Sequence, residues 1–269
     1  MNDLFSSLFS RQPEKVICGD YYYGTDADGD QFIEDDRDYW LGGRFRDNWQ
    51  YKQHESPLHA EIFNEVRRLF SDMSTPFLEI ACGPGMGLAP IILGSNPNLS
   101  CLATDACSIL IKSWREYINT ELRDFNIGLA QFSVMDIPLV DAAFENVTSY
   151  IGVSSTRAGK EGQIKALREI HRVLKDGGRF VAIESDGWAD IEAVKKVYAS
   201  WDPPLWKPYD DVPGETWKEM FTRCGFEIEA CDKSYYHKWD RSDNEFGKQA
   251  EHVGIEIGDI TTLYVLRKV

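Results

Sequence analysis

The sequence predicts an α/β fold: a mostly parallel, doubly wound sheet with helices on both faces and an N-terminal cap. Three observations carry this. Phe77 to Pro90 reads as a short apolar strand, a glycine-rich turn and the start of a helix. A second apolar run ends in Asp105, about 20 residues further on, the spacing of a ribose-binding carboxylate. Strand-like runs and helix-periodic segments then alternate, which implies parallel strands joined by right-handed crossovers.

Taken in order, Met1 to Thr75 precedes the first core strand and is expected to do something other than form the sheet. Tyr21 to Asp36 is aromatic and then acidic, and Trp40, Arg44, Arg46, Trp49 and Tyr51 follow. This reads as a solvated acidic loop anchored by aromatic rings. Asp26 to Ile33 partly matches a calcium loop, but Gln31 stands where the sharp turn needs glycine and Arg37 where a bidentate glutamate belongs. An acidic turn is the better reading. Pro57 to Phe70 is a helix with Leu58, Ile62, Val66, Leu69 and Phe70 on one stripe.

The core then unfolds as strand (Phe77 to Ile80), glycine turn, strand (Leu99 to Asp105), helix (Ile109, Leu110, Trp114, Ile118 and Leu122 inward) and strand (Ile127 to Val134). Asn146 to Val153 and Arg179 to Glu184 are the next strands, with a helix from Gln163 to Leu174 between them. Ile191 to Trp201 and Thr216 to Cys224 are helical, and Gly225 to Ala230 and Thr262 to Arg267 complete a seven-stranded sheet. Pro203, Pro204, Pro208 and Pro213 mark a loop, and Asp240 to Asp259 reads as a polar insertion.

Composition narrows the partners. With 44 acidic against 29 basic residues the formal charge is −15, so a polyanion or an anionic membrane is repelled at long range. Cys18, Cys82, Cys101, Cys107, Cys224 and Cys231 form no C-x-x-C pair and read as reduced thiols. No uninterrupted apolar run reaches the length of a membrane span, and the first residues lack a basic, then apolar leader, so a cytoplasmic protein is expected.

Glu79 lies on the first strand just before the glycine turn. A carboxylate there opposes a pyrophosphate and favours an ammonium or other cation. With Asp105 it implies a nucleoside carrying a positive amino acid tail.

The run Glu79-Ile80-Ala81-Cys82-Gly83-Pro84-Gly85-Met86-Gly87 resembles the first motif of the class I S-adenosylmethionine-dependent methyltransferases, an acidic residue followed by alternating glycines. Asp105 matches the acidic end of that family's second strand. Ser133 to Pro138 is similar to its adenine-binding stretch, and Ala166 to Phe180 to its helix, Gly-Gly turn and fifth strand. The resemblance spans residues 75 to 185. It implies a Rossmann-like sheet over residues 76–269 with residues 1–75 as cap or lid, and S-adenosyl-L-methionine as cofactor.

By the same resemblance Glu79 faces the cofactor's amino acid end and the backbone of Ala81, Cys82, Gly83, Gly85 and Gly87 cradles it. Asp105 holds the ribose with Ala106 beside it, and Asp136 and Ile137 bracket the adenine. Ala81 departs from the family, which often has glycine there.

A methyl group on a sulfonium is already activated, so alignment and exclusion of water are the main tasks. An O–H or N–H acceptor must also lose its proton. Glu184, ending the fifth strand, is the first candidate for that base, with a loop or helix cap as its plainer role. Asp186, Tyr150, Ser154 to Arg157, His54 and His237 are further candidates, while His171 reads as structural.

The expected function is methyl transfer to an O or N atom of a small, neutral or cationic molecule. A peptide acceptor and a non-catalytic binding subunit of the same fold are the alternatives. A nicotinamide-dependent oxidoreductase is disfavoured by the glycine spacing and by Glu79.

Overall fold

Strand β3 (Phe77–Glu79) is buried along its whole length and lies in the middle of a sheet that has nine strands among the described residues. The structure, a computed structural model, describes residues 4–24, 26–35, 37–41, 57–156, 158–201, 216–239 and 245–269. Strands β4 (Ser100–Asp105) and β6 (Phe144–Tyr150) flank β3 in parallel, and β5 (Asn126–Gln131) and β7 (Leu174–Trp188) extend the parallel array on either side. Strand β9 (Gly258–Lys268) runs antiparallel to β7 and to the edge strand β8 (Phe226–Lys238). The chain builds from β3 out to β5, then returns to place β6 on the other side of β3. This reversal puts the topological switch point, where such sheets bind ligands, at the carboxyl end of β3.

Alternate strand residues face two helical layers, as the pleat requires. Phe77, Cys101, Ala103, Val181 and Ile183 meet α3 (Pro57–Phe70), α4 (Ala89–Ser95) and α5 (Ser108–Thr120). Leu78, Leu102, Val147, Phe180 and Ala182 meet α6 (Gly159–Val173) and α8 (Trp217–Arg223). The stripe expected on α3 is present, with Ile62, Val66 and Phe70 buried and Phe63 beside them.

The sheet has two strands more than the seven expected, and both come from the segment assigned to a cap. β1 (Lys15–Ile17) and β2 (Asp20–Tyr22) form a hairpin, and β2 pairs in parallel with β5. Aromatic residues suit a pleated, half-covered surface, and the tyrosine run supplies them. Tyr22 is buried, and Asp20 is buried in an ion pair with Arg115 of α5 that ties the hairpin to the core.

The acidic stretch is likewise not a loop. Asp26 accepts the Gly29 N–H at 2.9 Å and starts helix α1 (Ala27–Asp35), followed by the short α2 (Arg37–Trp40). Asp30 accepts the Ser108 hydroxyl at 2.6 Å and the Ile109 N–H at 3.0 Å, so α1 caps the N-terminus of α5. Asp26 and Asp30 of the calcium-loop pattern thus serve as helix caps. Among the described residues no group of three His, Cys, Asp or Glu side chains is placed to hold a metal ion.

The described part of the polar insertion, residues 245–259, is also structured. β8 runs on to Lys238, α9 (Glu245–His252) follows, and β9 begins at Gly258. Together with α7 (Ile191–Ala199) they enclose a small separate core of Val194, Val197, Ala250 and Ile257, ringed by Trp188, Trp201, Trp239 and Phe246. This core stands beyond the carboxyl end of β7. The proline loop, His54 and Arg157 lie outside the described residues. Among the described residues no helix is long and apolar enough to cross a membrane.

Candidate functional site

The glycine turn stays attached to the sheet after β3 ends. Ile80 donates its N–H to the Thr148 carbonyl at 3.0 Å, and Cys82 donates to the Thr104 carbonyl at 2.9 Å. Between them Ala81 takes a left-handed φ of 47°, which glycine adopts without strain and alanine does not. Its methyl faces Gly152, in the turn after β6, where an added Cβ would lie 2.8 Å away. Gly85 is buried inside the turn.

Asp105 closes the turn from the next strand. Its Oδ2 accepts the Gly83 N–H at 2.8 Å and its Oδ1 the Cys107 N–H at 2.9 Å, while Trp114 donates its indole N–H to the Gly83 carbonyl at 2.9 Å. Burial raises the Asp105 pKa, opposed by these backbone N–H groups. Ala106 follows, its carbonyl held by the Gln131 amide at 2.7 Å. Helix α1 lies alongside, since a Cβ on Gly29 would stand 2.6 Å from the Cys107 sulfur.

Glu79 is fully buried. Its Oε2 accepts the Thr148 hydroxyl, whereas Oε1 is buried without a hydrogen-bond partner. Desolvation pushes its pKa up to about 8 despite the Thr148 bond and the Leu88 backbone N–H, which faces the carboxyl group without reaching hydrogen-bond geometry at Oε1. Gly87, at φ 56°, lies over this carboxyl group, and a Cβ there would be 1.9 Å from Oε1. A buried carboxylate oxygen without a donor is costly, so a cationic N–H donor at this spot fits the donor set. The residues present therefore suit a ligand with a positively charged amino acid end.

Glu184 ends on the turn after β6. Its two oxygens accept the Val153 and Ser154 N–H groups, each at 3.1 Å, and burial pushes its pKa up to about 7. It thereby fixes the turn carrying Gly152, and through the Gly152 and Ala81 contact the glycine turn itself.

Glu79, the Ala81 to Gly87 turn, Asp105 and Ala106 are brought together at the switch point, with Glu184 joined to them through the Gly152 turn. Asp136 and Ile137, in the segment after β5, have partners of their own. Asp136 is exposed and pairs with Arg11 at 2.7 Å, a bond that lowers its pKa. Ile137 is buried, donating its N–H to Glu169 at 2.9 Å and accepting from Arg172 at 2.7 Å. Sequence reasoning missed Thr148, Gln131 and Asp30, whose roles depend on pairings between strands and helices distant in sequence.

This fold, with an acidic residue and a glycine turn at its switch point, is the arrangement expected from the resemblance to the class I S-adenosylmethionine-dependent methyltransferases. Residues 78–182 match the family described as a methyltransferase domain, so the chain carries an S-adenosylmethionine-dependent methyltransferase domain whose cofactor is S-adenosylmethionine. It is similar to a demethylmenaquinone methyltransferase of Listeria monocytogenes, 25% identical over 188 residues covering 63% of this chain and 77% of that one. It is 29% identical over 124 residues to the ubiquinone/menaquinone biosynthesis C-methyltransferase UbiE of Rubrivivax gelatinosus, covering 44% of each chain. A solved S-adenosylmethionine-dependent methyltransferase from Methanosarcina mazei shares the fold with a TM-score of 0.53 at 17% identity, over 76% of this chain and 97% of that one.

Proposed function

We propose that the protein moves the methyl group of S-adenosylmethionine to an O or N atom of a small, neutral or cationic molecule. The observation that carries this reading is the buried Glu79 Oε1 without a donor, beside Asp105 at the switch point. In this reading Glu79 meets the ammonium of the amino acid end, the backbone of Ala81, Cys82, Gly83, Gly85 and Gly87 surrounds it, and Asp105 with Ala106 takes the ribose. Asp136 and Ile137 take the adenine side, which requires the Arg11 pair to open. When bound, the cofactor supplies a methyl group already activated by its sulfonium.

The chain's own part is to orient and to exclude water. Glu184 holds the Val153 and Ser154 N–H groups and so fixes the wall facing the glycine turn. With both oxygens so engaged it acts on geometry before protons, and in its ionised form it is the first candidate to test as the base that takes an acceptor's proton.

The names of the curated relatives favour a second reading, transfer to carbon, since one is called a C-methyltransferase. The cofactor reading is tested by calorimetric titration with S-adenosylmethionine and S-adenosylhomocysteine, beside Asp105→Ala. Micromolar binding is expected, weakened tenfold or more in the variant, on the order of 1.5–3 kcal/mol for a lost charged hydrogen-bond pair. A folded wild-type protein that binds neither ligand overturns the reading.

A further inference from the structure

The layer between the sheet and α3 is apolar along most of its depth: Phe63, Val66, Phe70, Phe77, Val181, Ile183, Leu263 and Val265 fill it. Three polar rings gather at its carboxyl end. Tyr150 is the last residue of β6, Tyr235 reaches in from β8, and His59 comes from the first turn of α3. The two phenol oxygens lie 3.2 Å apart, and the imidazole ring centre is 4.1 Å from that of Tyr235. Phe63 backs the group, 5.3 Å from His59 and 6.5 Å from Tyr150 between ring centres.

Position ties this cluster to the cofactor site. Thr148, which holds Glu79, is two residues before Tyr150 on the same face of β6, and β6 is the immediate neighbour of β3. Tyr150 thus stands one step beyond Glu79 toward the open end of the sheet. Both tyrosines are half-buried, whereas His59 behind them is buried. Polar ring atoms are costly in an apolar layer, and here they are gathered at the one end that borders the switch point.

We propose that Tyr150, Tyr235 and His59 form the acceptor subsite, which takes a planar, neutral molecule bearing a ring hydroxyl. This rests on the methyltransferase reading above and adds the acceptor's chemistry to it. The two tyrosine rings supply contact surface with the buried His59 packed behind Tyr235, and the phenol pair, to which Thr261 also bonds, offers its hydroxyls to the ring hydroxyl. The Asp259 carboxylate, which acts on both tyrosines, disfavours a phenolate, so the hydroxyl binds protonated.

The probe is 4-nitrophenol, whose absorption distinguishes phenol from phenolate, titrated into protein saturated with S-adenosylhomocysteine at a pH where half the free probe is ionised. The expected result is saturable binding of the phenol form, weakened tenfold or more in Tyr150→Phe and in Tyr235→Phe, with S-adenosylhomocysteine affinity within twofold of wild type. Unchanged probe binding in both variants, or none in the wild type, overturns the subsite and leaves the cofactor reading standing. Failure of the wild type to bind S-adenosylhomocysteine overturns the cofactor reading, and the subsite with it. Should a variant not fold, the wild-type spectrum decides: a probe bound as phenolate sinks the proposal.

Discussion

Gly87 lies so close over Glu79 that a single added carbon would sit 1.9 Å from the carboxyl oxygen Oε1. Glu79 cannot retreat, because its other oxygen is held by Thr148 and the side chain is buried. Gly87→Ala is therefore expected to displace the carboxyl group as well as strain a backbone at φ 56°. The left-handed conformation alone costs about 1–2 kcal/mol. Calorimetry should find S-adenosylhomocysteine binding weakened at least tenfold, and unchanged affinity would contradict the proximity.

The buried carboxyl groups give the ligand-free protein a pH dependence of definite sign. Glu79 and Glu184 are raised from 4.5 to about 8 and about 7, chiefly by burial. Between the unfolded and folded values the native state holds more protons than the unfolded chain, so stability is lost as pH rises. The contribution is fully present below 4.5 and gone once the pH has passed the folded values. Melting curves across this window should fall less steeply in Glu79→Gln than in the wild type.

Cofactor binding should run the other way. A cation beside Glu79 favours the ionised carboxyl group, so below a pH of about 8 binding releases a proton and tightens as pH rises. Calorimetry in two buffers of different ionisation enthalpy measures that proton directly. Glu79→Gln should abolish the release.

Asp30 caps a helix other than its own, accepting from Ser108 and Ile109 at the start of α5. Asp30→Ala should cost about 1 kcal/mol, as other lost caps do. It should also loosen α1. Hydrogen exchange across residues 27–35 is expected to rise, while exchange in β3 and β4 stays as in the wild type.

Ala81 bears a backbone strain that glycine would relieve. Ala81→Gly is expected to stabilise the fold by about 1 kcal/mol. Gly152→Ala should destabilise it by about 1–3 kcal/mol, because the new Cβ meets Ser149 Oγ at 2.5 Å, Ala81 Cβ at 2.8 Å and the Ile80 carbonyl at 3.1 Å. Denaturant unfolding of the double variant should recover part of that loss. Strict additivity would show that the two residues do not touch.

The parts legible in the sequence are those written locally. The Phe77 strand, the glycine turn and Asp105 are set by adjacent residues, and the structure places them side by side. The crossover helix was legible for the same reason: Leu167 and Ile170 repeat on one face and are buried. What escaped depended on partners far along the chain. Tyr21 and Tyr22 read as cap aromatics until β5 is present to pair with them. The acidic run read as a loop because the cap that orders it lands on Ser108, and the insertion read as polar because its apolar residues Val253, Ile255 and Ile257 close only against α7.

The β1 and β2 hairpin gives the sheet a guarded margin. Without it the outermost parallel strand would be β5, whose backbone would offer an open row of donors and acceptors to any passing chain. As built, the margin is a three-residue strand, too short to template another molecule, and the Asp20 and Arg115 ion pair holds it down. A version trimmed to residues 76–269 would thus lose its protection against clumping along with its first residues, and Phe5 would leave an apolar hollow over Gly128.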